Sequence, residues 1–292
     1  APATITISND DAATISINTA ASLTETDATT SHAFTITSDA DVQTNNTIFA
    51  IRVSQIDGAL PGGATSGTAF VGDGDYNNEL FEATTWDGDS ANAIIDDVVA
   101  INGDETVERD ETFEIQLNPD SGGGTPESEL VGLNVTLDSN VTVTINNDDD
   151  AVISLIPTSI SVAEGDTGTT QVAFTVESDF DVQTQSETFV IEVETEDVAG
   201  ENATDSGPDV GDGDYVDTIY TQLAWIGDAD VPIVDDNVNI IADEIVERDE
   251  DLQVVFTGTT DLGPFGLNIT LAPALDITIL NDDSGEFTVT GQ

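Results

Sequence analysis

Carboxylates in turns are the residues of this chain that are most clearly able to do chemistry. Its 292 residues include 59 acidic ones against three basic ones, with a formal net charge of -56. Many of the acids stand where runs of alternating apolar residues end. One set consists of Glu25, Asp73, Asp75, Asp104, Glu108, Glu111, Asp148 and Asp149, and it recurs as Glu164, Asp212, Asp214, Asp243, Glu247, Glu250, Asp282 and Asp283.

Carboxylates that converge in this way predict a bound cation. Two of them about 4 Å apart repel by roughly 4 kcal/mol at an effective dielectric constant near 20, so a converging group without a cation would splay or take up protons. Calcium accepts about six to eight oxygen ligands in flexible geometry, magnesium keeps its waters, and zinc prefers His or Cys. The chain has no cysteine and one histidine. We therefore predict calcium; the alternative is that the acids form only a solvated surface.

The elements that must position these acids are repeated. Asp75 recurs as Asp214 (214 − 75 = 139), and the string Val107-Glu108-Arg109-Asp110-Glu111 recurs as Val246-Glu247-Arg248-Asp249-Glu250 at the same offset. Asn-Asp-Asp occurs three times, beginning at Asn9, Asn147 and Asn281. A constant offset over this length indicates duplicated domains. The predicted division is a terminal or donor strand over 1–11, a first sandwich over 12–150, a second over 151–284, and the first strand of a following unit over 285–292.

Apolar residues alternate within each repeat, which places them on one face of a β-strand. Phe113, Ile115 and Leu117 form one such run, and no segment has a helical stripe. About seven short strands per repeat, separated by Gly, Asn, Asp and Pro turns, predict an all-β chain of two tandem immunoglobulin-like antiparallel β-sandwiches with extra strands at both chain ends. Trp86 and Trp225 are predicted to fill the two cores.

The composition excludes some partners and favours a setting. A nucleic-acid backbone is held by clustered Lys and Arg, which this chain lacks, and the same negative field repels anionic membranes. No apolar run approaches the roughly 20 residues of a membrane helix, so we expect no membrane insertion. Ala1-Pro2-Ala3 and the absence of Met suggest a processed or excised segment without its secretion signal. An extracellular or cell-surface protein of a saline environment fits this composition.

Several motifs together resemble a known family. Ser161-Val162-Ala163-Glu164-Gly165-Asp166, Gly-Asp-Tyr in mid-repeat, Val-Glu-Arg-Asp-Glu before a strand, and a closing Asn-Asp-Asp are similar to the Calx-β domain of sodium/calcium exchangers, integrins and bacterial surface proteins. The resemblance implies calcium at one tip of each sandwich. The implied ligands are Glu25, Asp75, Asp104, Glu108, Glu111, Asp148 and Asp149, and in the second repeat Glu164, Asp214, Asp243, Glu247, Glu250, Asp282 and Asp283.

Two features depart from the family pattern. The first place of the closing triplet is Asn147 or Asn281 where the family often has Asp, and the positions before Asp104 and Asp243 are Gly103 and Ala242. Fewer acids there should lower the number of ions or their affinity. Two ions at each tip are therefore less secure than one.

The same residues predict no enzyme. Turn acids on a sandwich have no evident cleft or apolar pocket that would raise a catalytic pKa. The single histidine, His32, is predicted to be a lone surface residue without a base's role. No arrangement resembling an activated serine nucleophile is present.

Two non-enzymatic functions remain open. In the first, the chain is a calcium-binding structural module of an extracellular surface fibre, as a filament subunit or as a segment of a large repeat adhesin, and calcium stiffens the domains and their junctions. In the second, it is an accessory module that recognises a glycan or protein through the loops Leu60-Pro61-Gly62-Gly63 and Gly122-Gly123-Gly124. Glycine loops are usually only turns.

The segment Thr4-Ile5-Thr6-Ile7-Ser8 sharpens the first function. It alternates like a strand, and an apolar strand without a partner is an association hazard. We expect it to add to the sheet of a neighbouring copy by β-strand addition, with Phe287 to Val289 completing the other side. The alternative is pairing within one long covalent array of adjacent repeats.

Overall fold

The computed structural model describes residues 3–43, 51–58, 64, 74–83, 86–119, 133–138, 140–183, 190–198, 203, 213–221, 225–260 and 267–290. The proposed recognition loops, Leu60-Pro61-Gly62-Gly63 and Gly122-Gly123-Gly124, lie outside these residues, as do Asp73 and Asp212. The chain divides into two compact units, one of residues 1–104 and 109–148 and the other of residues 105–108 and 149–292. No helix long and apolar enough to cross a membrane occurs in the part of the chain that is described.

The described residues of the first repeat form nine strands. They are β1 (Ala13–Thr19), β2 (Ser22–Thr24), β3 (Thr30–Ser38), β4 (Ile51–Asp57), β5 (Phe81–Glu82), β6 (Ile95–Ile101), β7 (Glu111–Pro119), β8 (Val135–Leu137) and β9 (Val141–Asn146). One sheet has the order β6-β3-β1-β8 and the other the order β2-β9-β7-β4-β5.

The second repeat has the same arrangement. Its strands are β10 (Ala151–Ile156), β11 (Ser159–Ala163), β12 (Gly168–Ser178), β13 (Val190–Asp197), β14 (Ile219–Thr221), β15 (Val234–Ala242), β16 (Glu250–Thr260), β17 (Ile269–Leu271) and β18 (Leu275–Leu280). Its sheets have the orders β15-β12-β10-β17 and β11-β18-β16-β13-β14. The predicted all-β, two-sandwich fold is confirmed.

The sheets differ from the prediction in strand number and in two pairings per repeat. The opening strand of each repeat divides, so that β1 joins one sheet and β2 the other. β1 then pairs in parallel with β8, and β2 in parallel with β9. The second repeat has the equivalent parallel pairs β10 with β17 and β11 with β18. The sheets are therefore mixed, because each half of the divided strand runs in the same direction as its late partner.

Each sandwich buries the alternating residues of both its sheets in one core. Ile15 and Phe34 of one sheet join Val53, Phe113 and Val143 of the other in the first repeat. Trp86 and Trp225 are buried, as predicted, and each indole Nε1 donates to a backbone carbonyl three residues later, at 3.1 Å for Asp89 and 3.0 Å for Asp228. Packing of this kind fixes the strand ends that carry the acids.

The prediction of a surface position for His32 is wrong. Its side chain is buried, lies edge-on to the ring of Phe113 with ring centroids 6.4 Å apart, and has its Nε2 2.6 Å from Oγ1 of Thr19. Burial lowers the pKa of the imidazole. His32 lies on the inward face of β3. A count of charged residues does not reveal that position.

Both ends of the described chain are exposed and outside strands. Ile5 and Ile7 are 86% and 92% exposed, and Phe287 and Val289 are 98% and 93% exposed. Residues 3–12 and 281–290 have no strand assignment. The predicted terminal strands therefore remain predictions about pairing with a further partner.

Gly103 fits only because it lacks a side chain. A Cβ built there would lie 1.5 Å from the carbonyl oxygen of Thr26, whereas the equivalent Ala242 has the space for its methyl group. We expect Gly103→Ala to lower the free energy of unfolding of the first unit by about 1–3 kcal/mol. Urea unfolding measures this, with Ala242→Gly as the control that exchanges the same two residues in the other repeat. An unchanged midpoint for Gly103→Ala would mean that the Thr26 turn moves aside at little cost.

Candidate metal centre

Two groups of three carboxylates lie at one end of the second sandwich. In each group the available oxygens are all within 4.8 Å of one another. Glu164 and Glu250, one in each group, are buried. The groups are Glu164, Asp282 and Asp283, and Asp214, Glu247 and Glu250.

Parallel pairing of β11 with β18 places the first group. Glu164 follows β11, and its backbone N–H donates to the carbonyl oxygen of Leu280 at 3.3 Å. The hydroxyl of Thr170 donates to the carbonyl oxygen of Glu164 at 2.7 Å. The N–H of Gly165 donates to Oδ1 of Asp282 at 3.2 Å. The end of one strand is thus tied to the acids that follow the other.

Strand β16 and a buried tyrosine place the second group. Glu250 opens β16 opposite Ile279 of β18. Asp214 precedes Tyr215, which forms a bridge with Ile240 and is almost completely buried. The Tyr215 hydroxyl donates to a carboxylate oxygen of Asp197. The ring anchors the Gly-Asp-Tyr turn, so the carboxylate of Asp214 faces Glu250 from a fixed backbone.

Asn281 connects the loop that carries Glu247 to the closing acids. Its Oδ1 accepts from the N–H of Glu247, and its own N–H donates to Oδ1 of Asp249, each at 3.2 Å. Its Nδ2 donates to the carbonyl oxygen of Asp283, also at 3.2 Å. A carboxylate could not donate this last bond. Asparagine at this place therefore has a scaffolding role in the second repeat.

Burial and mutual repulsion raise the pKa values of both buried glutamates. Desolvation, followed by the charges of Glu247, Asp243, Asp282 and Asp283, raises the pKa of Glu164 to about 7. Desolvation, followed by Asp214, Glu247 and Glu164, raises the pKa of Glu250 to about 7. Because Glu247 and Glu164 affect both groups, the two groups form one continuous acidic centre.

Two buried carboxylate oxygens in this centre fit a cation. Oε1 of Glu164 and Oδ2 of Asp283 have no hydrogen-bond partner within the described part of the chain. A buried carboxylate oxygen left in this way has a large desolvation cost. Oxygen-only ligands at this density match the coordination of a hard divalent cation.

The first repeat shows corresponding pairs within its own unit. Carboxylate oxygens of Glu25 and Asp148 lie within 4.8 Å of each other, as do those of Asp75 and Glu111. The N–H of Glu25 donates to the carbonyl oxygen of Asn146 at 3.1 Å, the equivalent of the Glu164 bond. Two of the other predicted acids of this repeat, Glu108 and Asp149, belong to the compact second unit.

The structure does not include two of the predicted ligands in these groups. Asp104 and Asp243 belong to none of the acidic groups found among the described residues. Oδ1 of Asp243 instead accepts from the N–H of Ile245 at 2.6 Å, which turns the chain into the following loop. Asp243 acts on the centre through its charge, which contributes to the raised pKa of Glu164.

Asp166 was missed as a member of the centre. After desolvation, its charge is the largest cause of the raised pKa of Asp283. The repeat contained the signal, because Asp27 occupies the equivalent place in the first repeat (166 − 27 = 139).

Comparison with known proteins gives structural matches at low sequence identity. No protein-family model matches the chain, and no curated protein matches it. Similar solved structures include the Calx CBD1 domain in its apo form, at 18% identity and a TM-score of 0.32, covering 46% of this chain and 100% of that one. The calcium binding domain CBD12 of CALX1.1 matches at 12% identity and a TM-score of 0.31, covering 91% of this chain and 99% of that one.

Immunoglobulin domains are matched at the same level. The N-terminal four Ig domains of Dscam1 isoform 6.9 match at 10% identity and a TM-score of 0.28, covering 90% of this chain and 43% of that one. Scores this low carry no weight for function. The case for a metal centre rests on the carboxylate geometry above.

Proposed function

We propose that this chain is a calcium-binding structural module of the Calx-β family in an extracellular surface fibre, without catalytic activity. The observation that carries the proposal is the pair of carboxylate groups in the second unit, where buried Glu164 presents an oxygen without a hydrogen-bond partner among the described residues. Calcium bound there would tie together the ends of β11, β16 and β18. The assigned ligands are twelve of the fourteen acids predicted from the repeats, and the other two, Asp104 and Asp243, are outer charges.

Calcium fits this centre better than other common cations. The ligand oxygens come from carboxylates, and calcium tolerates irregular coordination by about six to eight oxygens. Magnesium demands near-octahedral geometry and retains water, and zinc would draw on His or Cys. The buried His32 of the first repeat bonds Thr19 instead. Two adjacent groups also leave room for a second ion in the second unit.

Calorimetric titration at low salt tests the binding. We expect saturable calcium binding by the full chain, with magnesium competing weakly. Glu164→Gln should remove one binding event or weaken it at least tenfold, because it deletes a charged ligand. Asp235→Asn, at an exposed position of β15, removes the same charge away from the centre and should leave binding unchanged. The absence of saturable binding up to several millimolar calcium would refute the proposal.

The fibre role rests on the exposed terminal segments. Ile5, Ile7, Phe287 and Val289 are large apolar residues that are nearly fully exposed. Exposed alternating segments of this type are suited to β-strand addition at the sheet edge of a neighbouring copy, which would join subunits into a filament. The extracellular location follows from the same role and from the acidic composition.

Deletion of residues 1–9 tests strand addition. We expect the truncated chain to form fewer or shorter rods in calcium than the intact chain, because the donor strand is gone. Electron microscopy of both proteins, with calcium and with a chelator, measures this. Replacement of Ile5 and Ile7 by Thr removes the apolar side chains and keeps the chain length. It should therefore weaken assembly without a deletion. Fibres that persist unchanged after deletion would show that strand donation is wrong.

A further inference from the structure

A short segment with the same sequence in both repeats is buried in one and exposed in the other. Val107 belongs to the compact second unit and is completely buried in its core. Val246, at the equivalent place in the identical string Val-Glu-Arg-Asp-Glu, is 54% exposed. The neighbouring Ile245 is 47% exposed. The difference lies in what surrounds the segment, since the five residues are identical.

Val107 is held by a short segment of the second unit, Asp181-Val182-Gln183. Its N–H donates to the carbonyl oxygen of Asp181, and its carbonyl oxygen accepts from the N–H of Gln183, each at 2.9 Å. It forms a parallel bridge with Val182. The side-chain amide of Gln183 donates to Oε1 of Glu108 at 2.9 Å. Backbone bonds, an apolar contact and an amide–carboxylate bond together recognise Val-Glu.

The first unit has the residues equivalent to this segment beside a cavity. Asp41-Val42-Gln43 matches Asp181-Val182-Gln183 at an offset of 140 (182 − 42), and Leu133-Asn134 matches Leu267-Asn268 at 134 (267 − 133). The match is also structural, because Ala13 N–H donates to Asn134 and Ala151 N–H donates to Asn268. A cavity of about 480 Å³ is lined by residues that include Val42, Gln43, Leu133 and Asn134. Asn9 and Asp11 also line it, and among the described residues none forms a bridge with Val42 as Val107 does with Val182.

We propose that this cavity of the first unit receives Val246 and Glu247 from a second copy of the chain. Val246 would form the two backbone bonds with Asp41 and Gln43, pack on Val42, and bring Glu247 to the amide of Gln43. The donor and the receptor are on different units, so the contact is heterologous, and its repetition joins copies head to tail into a ring or an open filament. The inference deepens the proposed fibre role by naming the docking surface and its occupant, independently of strand donation by residues 1–9.

Engineered disulfides test the contact directly, because the chain has no cysteine. Neighbouring strands lie about 4.7–4.9 Å apart, which is within the range of Cα separations that disulfides span. We expect chains with Val42→Cys and chains with Val246→Cys, mixed and oxidised in calcium, to form disulfide-linked dimers. Val107→Cys with Val182→Cys in one chain should close internally and is the positive control. Closure of the control without dimers in the mixture would overturn the proposal.

A charge placed at Val246 gives a second measurement. Sedimentation velocity should show that Val246→Asp raises the dissociation constant for self-association at least tenfold relative to the wild type. Val231→Asp is the matched control, because Val231 is 47% exposed in the same unit and gains the same charge. Wild-type chain that stays at its 30.5 kDa mass at about millimolar concentration, or equal assembly of the Val246→Asp variant, would contradict the proposal. Disulfide dimers that form despite deletion of residues 1–9 would support docking as a contact separate from strand donation.

Discussion

Calcium at about a thousandfold above its dissociation constant is expected to raise the unfolding temperature of the second unit by about 8–16 °C for each ion bound. Ligand binding to the folded state alone contributes about 4 kcal/mol per site under these conditions. A change of 1 kcal/mol moves the unfolding temperature of a domain of this size by about 2–4 °C. Removal of calcium by a chelator should reverse the whole gain. Differential scanning calorimetry in calcium and in chelator measures the difference.

Glu164→Gln should change the unfolding temperature in opposite directions with and without calcium. Without calcium, the substitution removes one of several repelling charges beside Asp282 and Asp283, so the variant should unfold at a temperature equal to or above that of the wild type. With calcium, it should lose the stabilisation that the ion at its own site contributes, because the neutral amide is a poorer ligand. Asp235→Asn should follow the wild type in both conditions. A Glu164→Gln variant stabilised by calcium as strongly as the wild type would show that the ion binds elsewhere.

Local patterns were sufficient to predict the fold class and most residues of the acidic centre. Alternation identified the buried faces of the strands, as with Phe113, Ile115 and Leu117, because burial on one face of a sheet requires a period of two. Repetition identified acids that the two copies share, and the structure brings Glu164 together with Asp282 and Asp283. Both signals depend on residue type and spacing, which a sequence contains explicitly.

Features set by distant neighbours could not be predicted in this way. Division of the opening strand and the parallel pairing of β1 with β8 depend on partners more than a hundred residues apart. The role of Asn281 depends on a donor that only asparagine has and on the nearby carbonyl of Asp283. Val107 and Val246 show the limit most clearly, since the same five residues are buried in one environment and exposed in another.

The calcium affinity of each site in the second unit is expected to fall about tenfold between pH 8 and pH 6. Each site contains one glutamate, Glu164 or Glu250, whose pKa is raised to about 7 by burial and then by neighbouring acids. Calcium binds the ionised form, so below pH 7 the affinity falls about tenfold for each unit by which the pH is lowered. Titration calorimetry at several pH values, in two buffers of different ionisation enthalpy, measures both the affinity and the released protons.

The stability of the ion-free protein should depend on pH in the opposite direction to the calcium affinity. Between about pH 4.5, the usual pKa of glutamate, and pH 7, the folded state binds more protons than the unfolded state, so stability falls as the pH rises through this window. Calcium removes that loss, because the ion replaces the protons on both glutamates. Glu250→Gln should abolish the proton release at its own site and leave that of Glu164 present. Calcium binding with no proton release at pH 6.5 would mean that neither buried glutamate is a ligand.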